Sequence, residues 1–194
     1  MANLIKNALV KQISKFLKNV SPNQINISTL KGEGEMKNIQ LNEEMLMNVL
    51  EIPTWLKITS ARCNKASVKI QWTKLKTNPI IIILDKIELD MEIADPLREY
   101  TSSNLSNMFD KDSSGAYGFI DKCIDAIQLI IDSITITIKS KTFNANLNLY
   151  EDIKYSVTPN WKVTNDIRNT RLKDLEKDEI ILFKEVSWEI CRLE

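Results

Sequence analysis

Ile134-Thr135-Ile136-Thr137-Ile138, followed after four intervening residues by Phe143-Asn144-Ala145-Asn146-Leu147-Asn148-Leu149, is the stretch on which the fold turns. Strict alternation of apolar and polar residues is the period of a β-strand, because successive side chains leave opposite faces. Val186, Trp188 and Ile190, interleaved with Ser187, Glu189 and Cys191, repeat the pattern further on. One apolar and one polar face is what antiparallel strands with a solvated side require.

Working outward, Tyr117 to Ile127 reads as a helix with Ile120, Cys123, Ile124 and Ile127 on one side. The polar stretch 95–116, rich in Ser, Asn and Asp, reads as a mobile loop. Before it come strand candidates at Trp55 to Arg62, Ala66 to Trp72 and Ile80 to Ile93, and a helical patch from Glu43 to Leu50 ended by Pro53. Ile25 and Ile27, then Met36, Ile39 and Leu41, form strand pieces around Lys31-Gly32-Glu33-Gly34, whose glycines suit a tight turn. Residues 1–20 read as an amphipathic helix: Ile5, Leu9, Ile13, Phe16, Leu17 and Val20 share one face, and Lys11, Lys15 and Lys18 the other. Ser21-Pro22 is its expected stop.

Composition removes several functions. The 194 residues hold Lys+Arg 26 and Asp+Glu 26, so no surplus of cations exists to neutralise nucleic-acid phosphates. Histidine is absent, which excludes Ser-His-Asp and Cys-His catalysis and His-ligated metal sites. Cys63, Cys123 and Cys191 lack the CxxC spacing of a zinc site and read as reduced thiols of a cytosolic protein. The longest apolar run, Ile80 to Leu84, is far short of the ~20 residues that span a bilayer. Neutral total charge conceals asymmetry: Met1 to Gly32 carries five lysines and no acid, whereas Asp85 to Asp132 carries eleven acids against four cations.

The fold class is therefore α+β, mainly β, and its layers do not balance. Roughly eight or nine strands of ~5–6 residues offer a long apolar face, and two helices with one helical patch are too little to cover it. Such a sheet closes into a barrel or sandwich, or it curls into a trough lined for something other than protein. The strand pattern running up to Glu194 reads as the N-terminal piece of a longer protein.

Asn23-Gln24-Ile25-Asn26-Ile27-Ser28-Thr29-Leu30-Lys31-Gly32-Glu33-Gly34-Glu35-Met36-Lys37-Asn38-Ile39-Gln40-Leu41, following the basic helix, resembles the opening of the chorein N-terminal domain of bridge-like lipid-transfer proteins. Pro53-Thr54-Trp55-Leu56 and the stretch Asn64 to Ile80 are most similar to the shorter subgroup of that family, which acts in endosomal traffic, and Phe143-Asn144-Ala145, Trp161 and Arg168 to Leu172 continue the likeness. The resemblance covers nearly the whole chain and departs from the family in the polar stretch after Asp95. It implies one domain over 1–194: a capping helix at 1–20, first strands at 24–93, the loop, a helix at 117–127 and further strands at 128–194, curled as an open antiparallel trough. It also implies no enzyme, no cofactor and no metal. The ligand would be a glycerophospholipid conducted between apposed membranes, with the chain peripheral to endosomal or contact-site membranes. Small GTPases or SNAREs would be partners of other parts of the full-length chain. The alternatives are a closed β-rich adaptor for trafficking proteins, and a carboxylate hydrolase using Asp121 and Asp125.

With the trough reading, strand parity selects Ile58, Val68, Ile70, Ile134, Ile136, Ile138, Phe143, Ala145, Leu147, Leu149, Val186, Trp188 and Ile190 as lipid-contacting lining. Lys11, Lys15 and Lys18 are the expected membrane-facing residues, attracted to anionic head groups.

Overall fold

The helical spacing at the start of the chain produces α1 (Ala2–Lys15), which buries Ile5, Leu9 and Val10. In the computed structural model, residues 2–20, 25–99, 118–174 and 179–194 are described. α1 stops short of the expected residue 20 because the sheet competes for the backbone. Leu17 forms a β-bridge with Leu41, Lys18 N–H donates to Gln40 O at 2.9 Å, and Asn42 N–H donates to Phe16 O at 2.8 Å. Groups that would extend the helix are satisfied sideways instead.

Five strands lie side by side in chain order: β1 (Glu33–Gln40), β2 (Leu56–Lys69), β3 (Ile81–Ile93), β4 (Gln128–Lys139) and β5 (Asn144–Ser156). Two short strands share the outer edge of β5, with β8 (Lys184–Ser187) against 153–156 and β9 (Ile190–Leu193) against 147–150. A separate ribbon pairs β6 (Arg171–Asp174) with β7 (Glu179–Leu182). The molecule is mainly β, as the alternation requires.

Two expectations change. Trp55 to Arg62 and Ala66 to Trp72 are not two strands: β2 runs unbroken through Cys63-Asn64-Lys65, which is polar but holds neither Gly nor Pro to break a strand. The sheet is also not antiparallel throughout, since β3 and β4 pair in parallel from Ile81↔Gln128 to Glu92↔Lys139. A parallel pair needs a crossover of a dozen or more residues, and the segment between Ile93 and Gln128 supplies it. That segment contains α3 (Phe119–Asp125). Most of the expected loop 95–116 lies outside the described residues. Its start is fastened: Arg98 donates from Nε to Leu56 O (2.6 Å) and from Nη2 to Ile52 O (2.8 Å).

β1 ends level with Arg62, leaving the first part of β2 without a strand on that side. The short helix α2 (Glu43–Val49) stands there, and Ile58 N–H donates to Met47 Sδ at 3.4 Å. A helix beside a bare strand edge removes a surface open to unwanted pairing. Asn42 caps α2, its side chain accepting from Met45 N–H at 3.0 Å. Asn42→Ala is expected to lower stability by about 1 kcal/mol, read as a fall in Tm of about 2–4 °C in a thermal melt.

Candidate functional site

Residues directly opposite across a ladder share a face, so the register assembles the apolar surface row by row. Ala61↔Leu89, Leu89↔Ile136, Ile136↔Leu147 and Leu147↔Leu193 form one row over five strands. At about 4.8 Å per strand it spans about 19 Å. Ile58, Met91, Ile138 and Ala145 make the row on one side of it, and Cys63, Ile87, Ile134, Leu149 and Cys191 the row on the other. A bulge between Ile58 and Ser60 keeps Ile58 and Ala61 on the same face although they are three residues apart. Bulges also bend the strand that carries them, which favours a curled sheet.

Burial decreases along this floor. Ile58, Ala61, Leu89 and Met91 are buried. Ile134, Ile136 and Ile138 are half-buried and packed against the core. Ala145, Leu147 and Leu149 are half-buried and, among the described residues, stand outside the connected core. Leu193 is 76% exposed. The opposite side of the same rows is polar: Glu88, Asp90, Thr135, Thr137, Asn146 and Asn148. The floor is therefore apolar and increasingly uncovered towards β5 and β9.

The apolar face changes sides within the strands. Below the Cys63 to Leu149 row, the buried or core-packed residues are Met36, Ala66, Val68, Ile82, Leu84, Leu129 and Ile131, all of the other parity. The register is continuous there, with Cys63↔Ile87 and Ala66↔Leu84 in one ladder and Leu84↔Ile131 and Ile87↔Ile134 in the next. The ladders keep the same offset above and below this line, so by strand parity the apolar residues pass from one side to the other. On this second face the chain covers itself: a Cβ added to Gly34 would lie 2.8 Å from Asn26 O and 3.1 Å from Ile27 Cγ1.

The expected lining residues are accordingly divided. Ile58, Ile134, Ile136, Ile138, Ala145, Leu147 and Leu149 come together on the floor. Val68, level with Ile82, Val186, level with Lys154, and Ile190, level with Tyr150, project from the other face. Ile70 is buried just beyond β2, its N–H bonded to Gly32 O at 2.7 Å. Phe143 and Trp188 lie between strands and are 50% and 58% exposed. Parity along one strand cannot register the change of sides, nor a break at Trp188-Glu189 between β8 and β9. Sequence reasoning missed Ala61, Leu89, Met91 and Leu193. The alternation Ile87, Leu89, Met91 against Glu88, Asp90, Glu92 was readable, whereas the bulge hid Ala61.

Electrostatics at the margin of the floor are ordinary in kind. Burial pushes the Cys63 thiol above its usual value, and the nearby Asp85 carboxylate adds to the rise, so Cys63 stays a neutral floor residue. Lys65 Nζ lies 2.9 Å from Glu35. Of the expected membrane-facing lysines, Lys11 and Lys15 belong to α1, with Lys11 exposed. Lys18 lies beyond the helix and bonds both oxygens of Glu43, at 2.9 and 3.0 Å. Among the described residues no helix is long and apolar enough to cross a membrane, and no three His, Cys, Asp or Glu side chains are grouped to hold a metal.

The molecule is mainly β, with an apolar face increasingly uncovered towards β9, and comparison with known proteins shows the family. The model of bridge-like lipid transfer protein family member 3A/B matches residues 1–194, and the chain belongs to that family. Bridge-like lipid transfer protein family member 3A of Homo sapiens is 46% identical over 194 residues, which is 100% of this chain and 13% of that protein. Member 3B of Xenopus laevis is 43% identical over the same span, 14% of its length. The intermembrane lipid transfer protein vps13B of Dictyostelium discoideum is 30% identical over 87 residues, 45% of this chain and 1% of its own. The chain thus spans about one-seventh of the length of the member 3 relatives.

Proposed function

We propose that the whole chain acts as one lipid-transfer domain whose floor holds the acyl chains of glycerophospholipids, as one section of a longer groove that conducts lipid between apposed membranes. The observation that carries this reading is the five-strand row from Ala61 to Leu193, apolar throughout and progressively uncovered. Acyl chains gain ~0.8 kcal/mol per buried CH₂ on such a surface, and the head group keeps its water at the open side. A covered, closed sheet, as an adaptor would have, leaves no reason for Leu147 and Leu193 to face outward together. The lipid needs no reaction, so no catalytic group or cofactor enters the reading. Contacts with small GTPases or SNAREs, and endosomal placement, would belong to the remainder of the full-length protein.

The test is mass spectrometry of organic extracts from the purified protein. Co-purifying phospholipid is expected; protein free of lipid, and unable to take up a fluorescent phospholipid from vesicles, would sink the reading.

α1 contributes a second part of the proposal: its basic side draws this end of the protein towards anionic membrane surfaces. Each lysine near such a surface is worth about 1 kcal/mol. Lys11→Glu with Lys15→Glu is expected to weaken binding to phosphatidylserine vesicles by at least about thirtyfold at low salt, the product of two such terms. Undiminished flotation with the vesicles would reject this role.

A further inference from the structure

The change of sides has a further consequence for the lipid, one that rests on the groove reading. Four strands cross the change with a doublet of polar residues: Lys37-Asn38 in β1, Asn64-Lys65 in β2, Asp85-Lys86 in β3 and Asp132-Ser133 in β4. The doublets are level. Lys37 is the partner of Lys65, Lys86 is the partner of Ser133, and the pairs Cys63↔Ile87 and Ala66↔Leu84 flank Asn64-Lys65 and Asp85-Lys86 in one continuous register. Two successive polar residues are the smallest insertion that moves an alternating apolar set to the opposite face. By parity, each doublet therefore ends the apolar set on one face and begins it on the other.

On the floor side this seam presents Lys37, Lys65, Asp85 and Asp132, from β1 to β4. Asp85 and Asp132 are neighbours on adjacent strands and both are exposed. Like charges side by side are unfavourable unless water screens them, so this line of the floor face is wet. Beyond it, on the same face, Ile81, Ile83 and Ile130 are half-buried and, among the described residues, stand outside the connected core.

We propose that the seam is the margin of the lipid-bearing surface. Acyl chains lie on the Ile87 and Ile134 side of it, and their contact stops at Asp85 and Asp132. Val68, Ile82, Leu84, Leu129 and Ile131 serve the fold alone, and Ile83 and Ile130 are kept from lipid by the charged line. Asp85 and Asp132 are thus positioning residues: they set where hydrocarbon ends and water begins.

The experiment loads the full chain with phosphatidylcholine carrying a diazirine in one acyl chain, irradiates it, and maps adducts by peptide mass spectrometry. Adducts are expected at floor residues such as Ile136, Leu147 and Leu149. Yields at Ile83, Ile130, Val68 and Leu129 are expected to be lower by about tenfold, the ratio that roughly two methylenes of lost burial produce. In Asp85→Ile with Asp132→Ile, adducts should spread to Ile83 and Ile130 and still omit Val68 and Leu129, which are on the other face. Labelling on both sides of the seam in the unaltered protein overturns the margin while leaving the groove reading intact. An unchanged map in the double variant, folded by circular dichroism, overturns the role of the two carboxylates. Absence of adducts at any floor residue in lipid-loaded protein removes the groove reading and the margin with it.

Discussion

Replacing Ile136, Leu147 and Leu193 together with aspartate is expected to leave a folded protein that no longer retains phospholipid. The three residues are level with one another on β4, β5 and β9, so the change places a line of charge across the middle row of the floor. An ionised carboxylate facing hydrocarbon without a partner is disfavoured by several kcal/mol, and even one such term of about 1.4 kcal/mol is a tenfold loss of binding. The expected drop in co-purified lipid is therefore at least about tenfold. Ile136 packs against the core, so the pair Leu147→Asp with Leu193→Asp, both outside it, provides a variant with less effect on folding. The matching control is Thr135→Asp with Asn146→Asp on the polar face, where lipid content should not change. If the floor variants keep their lipid, these residues do not touch it.

The second large effect is on stability, at the turn that joins the N-terminal segment to the sheet. Gly32 has φ 70, donates its N–H to Ser28 O at 2.8 Å and accepts from Ile70 N–H at 2.7 Å. A Cβ at this position would lie 1.9 Å from Ile70 O, a backbone atom that cannot rotate away. The left-handed backbone alone is unfavourable by about 1–2 kcal/mol for a residue with a side chain, and relieving the overlap breaks the contact with Ile70. Gly32→Ala is expected to destabilise by about 3 kcal/mol or more, a fall in Tm of about 6–12 °C for a chain of this size. Gly34→Ala meets Asn26 O at 2.8 Å without a positive φ and should fall between this variant and the unaltered protein. Equal melting of all three would show that the 25–32 segment is not held against the sheet.

These two experiments probe the two sides of one sheet, and the distinction between them was only partly legible beforehand. The alternation at Ile134 to Ile138 and Ala145 to Leu149 identified six floor residues, because side-chain parity is a local property of an extended backbone. The same rule placed Val68, Val186 and Ile190 in the lining, and the register separates them from it. The doublets Asn64-Lys65 and Asp132-Ser133 were visible as residues. Their meaning depends on Asp85-Lys86 standing beside them in the next strand. Similarly, the helical face of α1 was readable, but its end was set by Leu17 finding Leu41.

By itself, then, the sequence determined that this protein is mainly β, that its helices are too few to cover its apolar strands, that it carries no histidine chemistry, and which family it resembles. Tertiary structure alone decided that β3 and β4 run in parallel, that β5 is shared by β8 and β9, and that the apolar surface changes sides along a polar seam. Parity is counted along a single strand, but a surface exists only across several. Which residues share that surface is settled by hydrogen-bonded register between segments far apart in the chain, and no local period contains that information.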